Sequence, residues 1–108
     1  MKLLTPDEIT NKLRSITSWN SKNKSIQKTF NFDEYLEGIE FASKVGRIAE
    51  NLNHHPDITI HWRAVEVVTT SHDAGGITEM DFRLARWVET ISEGRSLVEP
   101  EPESIMDD

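Results

Sequence analysis

Glu50, His54, His55, His72 and Asp81 bring three imidazoles and two carboxylates into a stretch of 32 residues, with Pro56 and Trp62 set among them. A histidine has a reference pKa of about 6.5, so each imidazole can give or take a proton near neutral pH without a large perturbation. A carboxylate beside an imidazole orients the ring and stabilises its protonated form. Such a set suits general acid and base catalysis, for instance an elimination in which one group protonates a leaving oxygen while another removes a proton. Glu50 precedes His54 by four residues, which places both on one helical face and makes Glu50 the expected partner of His54. Asp81 is the expected partner of His72 across a glycine-containing loop.

Each of these residues also has a plainer role, and only the joint spacing argues against it. Asp81 is placed to cap a helix, Glu50 alone reads as a solvated helix residue, and Pro56 alone is a helix stop. Trp62 follows Ile58 and Ile60 in an alternating run, so it is expected in the core more than as a platform for a ligand. His61 has the opposite parity and reads as a surface residue. A metal site built from His54, His61 and His72 is a weaker alternative. Adjacent His54 and His55 would diverge on a helix, and the chain has no Cys and no His-Glu-x-x-His pattern.

The elements that must position this chemistry can be followed along the chain. Thr5-Pro6-Asp7-Glu8 combines an N-cap hydroxyl, a proline in the first turn and a glutamate placed to reach back, which predicts a helix to about Ser15. Leu4 and Ile9 sit at the positions of a hydrophobic staple. Trp19 to Phe32 reads as a hairpin around the polar turn Ser21-Lys22-Asn23-Lys24, with Ile26, Phe30 and Phe32 sharing a parity. From Asp33 a helical period takes over through Tyr35, Ile39, Ala42, Val45, Ala49 and Leu52, with Gly38 and Gly46 allowing close packing on a sheet. Pro56 ends this helix and biases His55 toward extended backbone, which puts His54 and His55 where the chain changes direction.

Ile58 to Trp62 and Val65 to Ser71 read as two further strands joined at Arg63-Ala64. Asp73-Ala74-Gly75-Gly76 reads as a flexible loop. Thr78 then caps a last helix with Asp81 at its third position, Ile77 and Phe82 as the staple, and Gly94 at its end. The expected fold is α+β: a four-stranded antiparallel sheet with helices on one face, in the order helix, two strands, helix, two strands, helix. The other face or an edge of the sheet is left for an oligomer partner.

Composition bounds the rest. The chain has 108 residues, 36% of them hydrophobic, enough for one domain with a modest core. Residues 1–97 are expected to form that domain, and 98–108, rich in Glu, Pro and Asp, an acidic disordered tail. A formal charge of −7 argues against direct nucleic-acid binding. The absence of Cys removes thiolate chemistry, and no apolar run or leader pattern indicates a membrane span or export, so a cytoplasmic protein is expected.

The joint spacing resembles the signature of the pterin-4a-carbinolamine dehydratase family: an acidic residue, three residues, His, His or Asn, Pro, five or six residues, an aromatic, nine residues, His or Trp, then an Asp at least eight residues on. Glu50, His54-His55-Pro56, Trp62, His72 and Asp81 fill these slots, and the likeness extends from Thr5 to about Ile91. The resemblance implies a small homodimer or homotetramer that dehydrates 4a-hydroxy-tetrahydropterin, the product released by aromatic amino acid hydroxylases, without a metal or cofactor. It implies that His54 and His72 are the acid/base pair and that His55, counted with them, mainly holds the substrate. Glu50 and Asp81 take supporting roles. By the same resemblance Pro56, Trp62, Ser71, Asp73 and Ala74 join the histidines in binding the pterin. Some relatives act instead in dimerisation or protein assembly, so a binding role on the same fold is the alternative.

Overall fold

The computed structural model describes residues 1–94, and the acidic tail lies outside them. The elements are α1 (Pro6–Leu13), β1 (Asn20–Lys22), β2 (Ser25–Asn31), α2 (Tyr35–Leu52), β3 (Asp57–His61), β4 (Ala64–Thr69) and α3 (Glu79–Ser92). The four strands form one sheet in the order β1-β2-β4-β3, every neighbouring pair antiparallel. The expected α+β architecture and order of elements are therefore those of the molecule.

Alternation along β4 decides which face is covered. Val65, Val67 and Thr69 are buried, whereas Ala64, Glu66 and Val68 between them are half-buried. The paired register sets Phe30 opposite Val65 and Ile26 opposite Thr69, so the buried parities of β2 and β4 coincide. Against this face pack Phe41, Val45, Ile48 and Leu52 of α2 and Phe82, Leu84, Ala85 and Val88 of α3. Gly38 carries the close approach of α2, because a Cβ there would stand 3.2 Å from Val65 Cγ2. Gly46 has no such role: a Cβ there would meet nothing within 4 Å.

Three boundaries differ from the sequence reading. α1 ends at Leu13 rather than Ser15, and its capping box holds as expected, with Glu8 Oε1 accepting from the Thr5 N–H at 2.8 Å. The β1–β2 turn is Asn23-Lys24, with Asn23 in the left-handed region at φ 58°. The β3–β4 turn is Trp62-Arg63, since His61 pairs with Ala64. Trp62 therefore leaves the strand and is 73% exposed, stacked near the Arg63 guanidinium rather than packed in the core. The physical reason is topological: β3 is an edge strand, and Ile60 before the turn is itself 43% exposed.

Candidate active site

α2 delivers two of the histidines. Asn53 caps the helix in left-handed conformation, φ 52° and ψ 45°, and the His54 N–H closes the turn on the Ala49 carbonyl at 3.0 Å. Asparagine tolerates this conformation better than most residues, which makes Asn53 the local stop signal before Pro56 acts. The chain leaves the helix here, so His54 and His55 do not continue its spiral.

The third histidine sits on a tight turn rather than a flexible loop. Ser71 bridges Gly76, and the Ser71 carbonyl accepts from the N–H groups of Ala74 at 3.1 Å and Gly75 at 3.0 Å. Gly75 supplies the positive φ of 81° that closes the turn. His72 is thereby held on the rim opposite the end of α2. A cavity of about 370 Å³ lies between, lined by Met1, Asn53, His54, His55, Thr70, Ser71, His72, Asp73 and Ala74.

The carboxylates are paired differently from the sequence expectation. Asp81 Oδ1 accepts from His54 Nε2 at 2.7 Å, not from His72. Glu50 Oε2 lies 2.5 Å from His55 Nε2, not against His54. Helical spacing misassigned Glu50 because Asn53 breaks the helix between it and His54. Asp81 is unavailable to His72 because both of its oxygens are occupied. Oδ1 also accepts from Thr69 Oγ1 at 2.7 Å, while Oδ2 accepts from Ser71 Oγ at 2.8 Å and from the Thr78 N–H at 2.9 Å.

This arrangement makes Asp81 both cap and site residue. Its side chain is fully buried, and burial alone would raise its pKa. The hydrogen bonds from His54, Thr78, Thr69 and Ser71 outweigh that effect and hold the carboxyl below the ordinary aspartate value. An ionised carboxylate only accepts, so the hydrogen on His54 must sit on Nε2. Nδ1 is then the nitrogen of His54 left to exchange a proton. His72 has no carboxylate partner among the described residues and is exposed. His55 and Glu50 form an exposed pair, with side chains 56% and 74% accessible.

Several site residues were not singled out from the sequence. Asn53 and Thr70 line the cavity, and Thr69 and Thr78 complete the shell around Asp81. Thr69 left a trace: it continues the buried parity of Val65 and Val67, where a polar side chain must find a buried partner. Pro56 and Trp62 do not line the cavity. No group of three metal-ligating side chains converges among the described residues, so His54, His61 and His72 form no such set there.

The family model for pterin 4 alpha carbinolamine dehydratase matches residues 2–91. The chain belongs to this family. Relatives that carry the pterin-4-alpha-carbinolamine dehydratase name include one from Sulfurisphaera tokodaii, 43% identical over 84% of this chain and 98% of its own length. Another, from Natronomonas pharaonis, is 48% identical over 83% of this chain and 96% of its own. The fold matches a crystal structure of a transcriptional coactivator/pterin dehydratase from Brucella melitensis, with TM-score 0.81, 28% identity and coverage of 84% and 99% of the two chains. A pterin dehydratase-like protein identified as a RuBisCO assembly factor in the alpha-carboxysome shares the fold, with TM-score 0.61 and 23% identity over 73% of this chain and 93% of its own. The dehydratase motif positions thus lie on a dehydratase fold, with His54, His55 and His72 on one cavity. No helix among the described residues is long and apolar enough to cross a membrane.

Proposed function

We propose that this chain dehydrates 4a-hydroxy-tetrahydropterin to the quinonoid dihydropterin, with His54 and His72 as the acid/base pair. The observation that carries the reading is half-buried His54, held on buried Asp81, sharing a cavity with exposed His72 in a family member. In the reaction the C4a–O bond breaks as the hydroxyl takes a proton and leaves as water. N5 loses its proton, and the N–H electron pair becomes the second bond between N5 and C4a. One imidazole gives a proton and the other takes one, so the pair regains its starting charge once protons re-equilibrate with solvent. The two C4a configurations put the hydroxyl on opposite ring faces, and the roles of His54 and His72 exchange between them.

Asp81 stabilises His54 when it becomes imidazolium and keeps Nδ1 toward the exchange. His55, set on Glu50, holds the pterin; Ser71, Asp73 and Ala74 complete the pocket wall. No cofactor is needed for a redox-neutral elimination, since the pterin is itself the substrate. An aromatic amino acid hydroxylase is the class of enzyme that would supply it, in the cytoplasm. A homo-oligomer is supported by the edge position of β3 and the exposed Ile60 and Trp62 beside it. The binding or assembly alternative is kept in view by the likeness of fold to the carboxysome assembly factor.

The deciding experiment follows decay of the carbinolamine by ultraviolet absorbance as a phenylalanine hydroxylase generates it. Acceleration by the parent chain that falls in both His54→Ala and His72→Ala supports the dehydratase. Decay at the uncatalysed rate with the parent chain overturns it in favour of a binding role.

A further inference from the structure

A second cavity of about 630 Å³ adjoins the first, lined by Asn23, Lys24, Ser25, Thr70, His72, Gly75 and Gly76. Thr70 and His72 belong to both linings, so the two cavities meet at these residues. The walls differ in charge. The first cavity carries Asp73 together with His54 and His55, whereas the second has Lys24 as its charged side chain and no carboxylate in its lining. No ion-pair partner for the Lys24 ammonium exists among the described residues.

The wall is also built in place rather than draped there. Thr70 Oγ1 donates to the Lys24 carbonyl, tying the β1–β2 turn to the strand that leads to His72. Asn23 in left-handed conformation turns the hairpin so that Lys24 and Ser25 follow along the cavity. On the opposite side, a Cβ at Gly75 would meet nothing within 4 Å, so this side of the turn stands open.

The substrate's own connectivity gives this space a use. In a tetrahydropterin, N5 is bonded both to C4a and to C6. A substituent on C6 is therefore carried by an atom bonded directly to the one that loses its proton. With His72 at the reacting edge, as the dehydratase reading has it, such a substituent would extend toward the cavity that His72 and Thr70 also line.

We propose that the second cavity is a specificity subsite for a long, anionic C6 substituent, a carboxylate-bearing chain of the acylglutamate class, with Lys24 as its charge partner. The proposal rests on the dehydratase reading and deepens it. Lys24 is a specificity residue here, remote from the bonds that change. Asn23 and Ser25 supply neutral hydrogen-bonding groups beside it.

The test compares binding of two stable probes by calorimetry: 6-methylpterin, which has a short neutral substituent, and folic acid, which carries two carboxylates. The parent chain is expected to bind folic acid about tenfold more tightly at low salt, and the preference shrinks as ionic strength rises from about 20 mM to about 500 mM. Lys24→Gln removes most of the preference, and Lys24→Glu removes it entirely. The Thr70 bond survives both substitutions because it uses the Lys24 backbone carbonyl. Equal affinity for the two probes in the parent, or a preference that persists in Lys24→Glu, overturns the subsite while the carbinolamine assay still shows turnover. Failure of both probes to bind, together with absence of turnover, overturns the dehydratase reading and the subsite with it.

Discussion

Among the described residues, the neighbouring histidines His54 and His55 each pair with a carboxylate, and the two pairs live in different physical regimes. In Asp81–His54 the carboxylate is fully buried and shared among four donors: His54 just past α2, Thr69 of β4, Ser71 of the turn after it and the Thr78 N–H at the N-terminus of α3. Glu50–His55 is shorter at 2.5 Å but stands in solvent, its carboxylate 74% exposed. Distance alone would rank the second pair higher. Water and salt screen an exposed pair until it is worth about 0–1 kcal/mol, whereas breaking a buried, fully hydrogen-bonded charge costs about 3–5 kcal/mol. The partner that matters to the reaction is the one whose carboxylate has nowhere else to go.

The contrast is most sharply tested by rate. His54→Ala is expected to lower carbinolamine turnover by about 10²–10⁴, the range typical of a positioned acid/base group. His55→Ala should act mainly on KM, with a loss in kcat of about tenfold or less. Equal kcat losses at the two positions would remove the distinction between the pairs.

Stability gives the next largest effect. Asp81→Ala strands the Thr69 and Ser71 hydroxyls, the Thr78 N–H and the His54 ring, each in or near the core. A loss of about 3 kcal/mol or more in urea unfolding is expected. A loss under about 1 kcal/mol would mean that water or rearrangement replaces the carboxylate.

Acid sensitivity follows from the same residue. Asp81 has a folded pKa below its ordinary value, so its stabilising contribution is complete at neutral pH. That contribution is lost as pH falls from about 4, near the unfolded value, through the depressed folded value. Stability measured between pH 6 and pH 2 should fall less steeply in Asp81→Asn than in the parent, by way of a lower starting point at neutral pH. Parallel acid limbs would show that other carboxylates dominate. The smallest effect is assigned to Glu50→Gln: less than about 1 kcal/mol in stability and about threefold in turnover, both shrinking with added salt.

Much of this was readable along the chain, and the failures share a cause. Capping boxes at Thr5 and Thr78 depend on residues three apart, so the starts of α1 and α3 were legible. The order of elements follows from local periodicity and turn signals in the same way. Trp62 was misplaced because parity describes a strand only while the strand lasts, and the turn closes at His61–Ala64. Glu50 was misassigned because an i, i+4 argument assumes a helix that Asn53 ends.

By itself the sequence determined the α+β class, the helix starts and the set of residues able to move protons, since all of these rest on composition and on spacings of a few residues. The tertiary structure alone decided which carboxylate serves which histidine. That choice depends on where β4, the Ser71–Gly76 turn and α3 converge, and on burial, which sets the strength of a charge interaction and has no counterpart in the spacing of residues along a chain.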